Sequence, residues 1–148
     1  MISRNIRKFR DSDIERAAEI WLAGSIEAHG FVPSSFWRDN LPDLKDKYLP
    51  GAQGYVYVVD AIIQGILVLK GDFIHLLFVD PTAQRQGIGT ALIQTIQSQH
   101  KNLKLTVYVQ NMQAISFYQQ QGFVIISEGL DEQTGCAEYT MAWKRTIE

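Results

Sequence analysis

Gln84-Arg85-Gln86-Gly87-Ile88-Gly89 stands where a β-branched and aromatic run meets a helical one. Before it lies Phe73-Ile74-His75-Leu76-Leu77-Phe78-Val79, followed by a turn at Asp80-Pro81. After it, Thr90 to His100 carries Ala91, Leu92, Ile93 and Ile96 at helical spacing. A glycine-bearing loop at a helix start aims several backbone N–H groups at one point. The orphan amides and the helix dipole favour an anion there. Gln84 and Arg85 add side-chain donors, so the expected ligand is a pyrophosphate.

Two other nucleotide loops fit poorly. A Walker loop requires Lys before its Ser or Thr, and Thr90 follows Gly89 directly. A dinucleotide fingerprint sets its glycines immediately after the first strand of a βαβ unit, with no intervening loop. A second block narrows the reading. Asn111-Met112-Gln113-Ala114-Ile115-Ser116-Phe117-Tyr118 runs into Gln119-Gln120-Gln121-Gly122-Phe123. Asn111 is a good N-cap and Gly122 a good helix terminator, so a short helix is framed at both ends. Tyr118 has a polar tip that a purely structural helix would leave spare.

The Q/R-x-x-G-x-G/A loop and the N-x-x-A-x-x-F-Y-x-x-x-G-F segment together resemble the GNAT superfamily of acetyl-CoA-dependent N-acetyltransferases. The aromatic N-terminal third (Trp21-Leu22, Ala28-His29-Gly30-Phe31-Val32, Phe36-Trp37-Arg38-Asp39) is similar to a small bacterial branch that acetylates protein lysines. The resemblance implies an α/β (α+β) fold: a mixed, mostly antiparallel sheet, a splayed parallel pair, and helices on both faces. It also implies acetyl-CoA as cosubstrate, with pantetheine added like a strand at Leu77, Phe78 and Val79. The pyrophosphate would sit on Gln84, Arg85, Gln86, Gly87, Gly89 and Thr90, with Asn111 bonding pantetheine or a bridging water. Tyr118 is the implied acid for the leaving thiolate. His29, Phe31, Trp37 and Phe73 would line or frame the acceptor site, although the aromatics also suit a core.

The amine acceptor must lose a proton. A lysine with a reference pKa of about 10.4 costs about 4–5 kcal/mol to deprotonate at pH 7. Period-two alternation would place Phe73, His75, Leu77 and Val79 on one strand face, with His75 its one proton acceptor. Glu27 and solvent are the alternatives.

Coarse elements follow from pattern. Ile6–Arg10 reads as a strand, and Ser12-Asp13-Ile14-Glu15 as a capping box opening a helix toward Ala28. A second helical stretch from Ser34 should kink or divide at Pro42. Strands are expected at Tyr55–Val59, Ile62–Leu69, Phe73–Val79, Leu103–Val109, Val124–Glu128 and Ala137–Trp143.

At 148 residues the chain reads as one domain, residues 1–148, with a real core. A net charge of −2 points to neither nucleic acid nor an anionic membrane. One cysteine, Cys136, rules out an intrachain disulfide and a cysteine zinc site, and no metal is expected. With no apolar run of membrane-spanning length and no signal segment, the expectation is a cytoplasmic monomer or homodimer. The acceptor is expected to be a protein lysine, a small-molecule amine or antibiotic being the alternative. A non-catalytic acyl-CoA-binding module would not need Tyr118.

Overall fold

The computed structural model describes residues 4–146. Seven strands form one sheet in the order β1-β2-β3-β4-β5-β7-β6. They are β1 (Ile6–Lys8), β2 (Gln53–Val59), β3 (Ile62–Lys70), β4 (Phe73–Val79), β5 (Asn102–Tyr108), β6 (Val124–Leu130) and β7 (Ala137–Lys144). Helices α1 (Ile14–Ala28) and α2 (Ser34–Asp43) cover one face, while α3 (Ile88–Gln97) and α4 (Met112–Gln120) lie on the other. Every strand pairing is antiparallel except β4 with β5. This is the mixed sheet expected from the sequence.

Short turns make the meander. Asp60 and Ala61 both have positive φ, which matches the strand twist in a two-residue hairpin between β2 and β3. The two core layers then follow from alternation. Ile66, Val68, Leu76 and Phe78 pack with Trp21 and Trp37 on the α1–α2 face. Leu67, Leu69, Leu77 and Val79 pack with Ile88, Leu92 and Ile96 on the α3 face.

Two local expectations are corrected, and the division expected at Pro42 is found. No capping box forms between Ser12 and Glu15. Residues 11–13 make a single 3-10 turn, and the Asp13 carboxylate takes the Arg10 N–H (2.9 Å) and the Arg7 guanidinium (2.8 and 2.9 Å). Asp13 thereby clips β1 to α1 instead of capping the helix. Pro42 sits inside α2, which ends one residue later and continues as a π-turn over residues 44–48, closed by Leu49 N–H to Leu44 O. The alternation in β4 also breaks. Val68 pairs with Leu76 and Leu69 with Ile74, so His75 is the extra residue of a β-bulge. Ile74 therefore joins Leu77 and Val79 in the α3-side core, and His75 is left exposed and unpaired on the bulge.

The turn that launches α3 is tied to α1. Arg16 Nη2 donates to Asp80 Oδ2 (2.7 Å) and its Nε to Ile63 O (2.9 Å). Asp80 Oδ1 accepts from the Thr82 N–H (2.9 Å) and hydroxyl (2.7 Å). These bonds, with Arg16, hold the Asp80 carboxyl below its usual range. A depressed carboxylate pKa contributes stability above the unfolded-state value and loses it as pH falls through the folded one. Stability should thus decline below about pH 4. In urea titrations from pH 7 to pH 2, Asp80→Asn should be less stable at neutral pH, and its loss on acidification should be shallower. Parallel curves for the two proteins would contradict this anchor.

Candidate active site

The parallel pair β4–β5 is in register at one point, Phe73 with Lys104, where Lys104 N–H donates to Asp72 O. Beyond it the strands part. Asp80 N–H donates across to Gln64 O (2.8 Å), and strand alternation directs the Phe78 main chain the same way. Leu77 and Val79 then turn their N–H and C=O groups into the opening. No β5 residue pairs with them.

The opening leads into a cleft of about 810 Å³, within the range for small-molecule sites. Its lining includes His75, Leu77, Phe78, Val79, Gln84, Arg85, Gly87, Gly89, Thr90, Asn111 and Tyr118. At one end α3 begins. Arg85 and Gly87 both have positive φ, and Gly87 is the residue before the first turn, without a side-chain cap. The first backbone donor in α3 to find a partner is Ala91, bonded to Gly87 O. No backbone N–H from Arg85 to Thr90 has an acceptor among the described residues. Uncapped amides at a helix N-terminus need an acceptor, and phosphate oxygens suit them. Gln86 is exposed and its side chain does not line the cleft, so only its main chain belongs to this group.

The two glycines serve different purposes. A Cβ on Gly87 would meet nothing within 4 Å, so its requirement is the left-handed backbone, φ +78°. A Cβ on Gly89 would lie 3.2 Å from Phe117 Cζ. Gly89 therefore serves the approach of α3 to α4, and a side chain there would strike Phe117 first.

On α4 the Asn111 side chain accepts the Ala114 N–H (3.2 Å), as expected of an N-cap. Its amide nitrogen lies 3.3 Å from His29 Nε2. That contact makes Nε2 the acceptor and places the imidazole proton on Nδ1. Burial lowers the His29 pKa to about 4, so the ring is neutral. Tyr118 packs against Phe117 and Phe123, and its hydroxyl has no hydrogen-bond partner among the described residues. Burial raises its pKa, which keeps the phenol protonated. His75 is exposed on its bulge, with its ring 5.0 Å from that of Phe73. Partial burial, then Lys70, lower its pKa, so it too is neutral at pH 7.

The acceptor framing is rearranged. His29 and Trp37 line the cleft, with ring centroids 5.2 Å apart. Phe31 stands behind them against His29 and Tyr108. Phe73 lies at the closed end of the splay in a separate shallow depression, and Glu27 is exposed outside the cleft. Sequence reasoning missed Trp21, Ser25, Tyr108, Asp131 and Glu138, which also line it. The alternating Leu103-Lys104-Leu105-Thr106-Val107-Tyr108 marked one face of β5 as free of the core. Nothing local tied Asp131 and Glu138 to it. Among the described residues no group of three or more His, Cys, Asp or Glu is placed to hold a metal.

Sheet, splay and uncapped helix together form a cleft suited to an elongated ligand with an anionic end and amides along its length. Residues 37–145 match the acetyltransferase (GNAT) domain family. The chain belongs to the GNAT acetyltransferase family, and it is an N-acetyltransferase. It is 37% identical over 139 residues to peptidyl-lysine N-acetyltransferase YiaC of Escherichia coli K12, covering 93% of this chain and 95% of that one. It is 34% identical to peptidyl-lysine N-acetyltransferase YjaB of Salmonella typhimurium, covering 82% and 83%. The solution structure of apo YjaB from Escherichia coli superposes with a TM-score of 0.83 at 26% identity, covering 93% and 95%. The fold is also that of PaiA N-acetyltransferase from Thermoplasma acidophilum, solved with coenzyme A, with a TM-score of 0.80 at 19% identity and coverage of 95% and 98%.

The two glycines separate by experiment. Gly87→Val forces a β-branched residue into left-handed backbone and should weaken acetyl-CoA binding about tenfold or more, with helicity retained. Gly89→Val should lower stability by about 1–3 kcal/mol through overpacking against Phe117. Calorimetry and thermal denaturation of both variants check this. Equal stability losses, with binding intact in both, would refute the assignment.

Proposed function

We propose that the protein transfers an acetyl group from acetyl-CoA to the side-chain amine of a protein lysine. The observation that carries the reading is the run of unpartnered amides from Arg85 to Thr90, in one cleft with the unpaired strand edge at Leu77 and Val79. Pyrophosphate satisfies the first group, and the amides of pantetheine satisfy the second by strand addition. The relatives named for peptidyl-lysine acetylation support lysine as the acceptor.

The chemistry follows from what these groups supply. A neutral amine attacks the thioester carbonyl, forming the C–N bond, while a backbone N–H of the β4 edge stabilises the developing oxyanion. Collapse breaks the C–S bond, and the departing thiolate takes its proton from the Tyr118 phenol. The amine proton leaves through His75, whose neutral imidazole is free to receive it, or through water. The reading is of a protein that works in the cytoplasm. Among the described residues no helix is long and apolar enough to cross a membrane.

Free-thiol release should be followed with acetyl-CoA and two panels, lysine peptides and small amines. Lysine peptides should be the better substrates. Tyr118→Phe should lower kcat about 10²–10⁴-fold while acetyl-CoA affinity changes little. In His75→Ala the low-pH limb of kcat/KM, expected below the ordinary histidine value of about 6.5, should disappear. Turnover confined to small amines would overturn the lysine reading. A Tyr118→Phe enzyme with normal turnover would remove the phenol from the mechanism, and an unchanged pH profile would return His75 to packing.

A further inference from the structure

Beyond the transfer machinery, the cleft has a second charged wall, on β5, β6 and β7. In the sheet register Glu138 lies directly between Tyr108 of β5 and Gly129 of β6. Directly opposed residues point to the same side of a sheet, and Gly129 leaves the flank of Glu138 without a side chain. Asp131, just past β6, lines the same cleft. The Tyr108 hydroxyl donates to Asp131 Oδ2 (2.5 Å), and the Gln133 N–H donates to its Oδ1 (3.0 Å). Asp131 is thus held in place, whereas the Glu138 carboxylate has no hydrogen bond or ion pair among the described residues. Partial burial, then the charge of Asp131, raise the Glu138 pKa, as expected of a carboxylate lacking a cation.

The facing wall of the cleft carries unsatisfied polar groups of its own. Ser25 (0% exposed), Trp37 (6%) and His29 (9%) each line it and each have a buried polar atom without a partner: Ser25 Oγ, Trp37 Nε1 and His29 Nδ1. Such atoms are costly to bury unpaired. Trp37 Nε1 and, by the tautomer derived above, His29 Nδ1 are donors, so they call for carbonyl-type oxygens. The wall is continuous with the acidic side, since the His29 ring lies 5.0 Å from that of Tyr108.

We infer that Glu138 is the carboxylate that receives the acceptor's ammonium group, with Asp131 as a fixed second charge, so that this wall selects cationic alkyl amines. The inference rests on the acetyltransferase reading above and names which side chain recognises the acceptor. The charged groups facing Glu138 are Asp131 from the β6–β7 connection and the neutral Tyr108 from β5, with neutral His29 behind it. No cation among them competes for the carboxylate.

The test compares wild type with Glu138→Gln on three acceptors at pH 7: a lysine peptide, the same peptide with a 4-aminophenylalanine, and a small alkyl diamine. The arylamine is uncharged at that pH, and the other two are cations. Loss of a charge-assisted bond should raise KM for the cationic acceptors roughly ten- to hundredfold. The arylamine KM and the acetyl-CoA affinity should stay within about twofold. Glu138→Asp should restore part of the cationic preference. An equal rise for all three acceptors would make Glu138 a structural residue and overturn the inference, as would an unchanged KM for the cations. If wild type uses the diamine and no lysine peptide, the lysine reading fails, and the diamine KM of Glu138→Gln, read against its acetyl-CoA affinity and against aniline as the uncharged acceptor, still decides the role of Glu138.

Discussion

The structure depends on a parallel strand pair that touches at only one registered point. Parallel strands are ordinarily buried and laddered along their length. Here β4 and β5 meet at Phe73 and Lys104 and then separate, with Leu77 and Val79 turned toward no partner strand. Each strand is committed elsewhere. β4 is paired along β3 and re-aimed by the bulge at His75, and β5 is paired along its whole length with β7. Helices α3 and α4 are packed over the gap by Gly89 and Phe117 without filling it. Unpaired backbone in a cleft requires hydrogen-bonding partners, and a ligand that itself carries amides supplies them.

Electrostatics divide this cleft into regions. The α3 end presents N–H groups, Arg85 and the positive end of a helix dipole, which suit an anion. The α4 junction holds two neutral groups, the Tyr118 phenol and the His29 imidazole, kept uncharged by burial. The β6–β7 side carries carboxylates. Such a distribution suits an anionic ligand at the α3 end and a cationic one at the β6–β7 side, with the uncharged Tyr118 and His29 at the α4 junction. Arg16 and Asp80 hold the turn that brings β4 into α3, which keeps the strand edge and the amide cluster at a set spacing.

Much of this was legible in the sequence because the signals are local. Gln84–Gly89 and Asn111–Phe123 announce a loop-to-helix junction and a capped helix through residues adjacent in the chain. What escaped depends on pairing between distant segments. The bulge at His75 arises from how β4 registers on β3, and no alternation rule applied to β4 alone reveals it. Asp131 and Glu138 reach the cleft only because β7 inserts between β5 and β6. The capping box read at Ser12 to Glu15 fails for a related reason: the neighbouring Asp13 carboxylate bonds Arg7 on another element and the Arg10 N–H. The packing constraint on Gly89 also escaped, because it comes from Phe117 on another helix.

Amide-resolved hydrogen exchange with and without saturating acetyl-CoA tests the central claim most directly, since the claim concerns specific backbone N–H groups. The account predicts that protection rises at Arg85 to Thr90 and at Leu77 and Val79, with little change along β6. Saturated binding that leaves those amides exchanging at their free rates would contradict it.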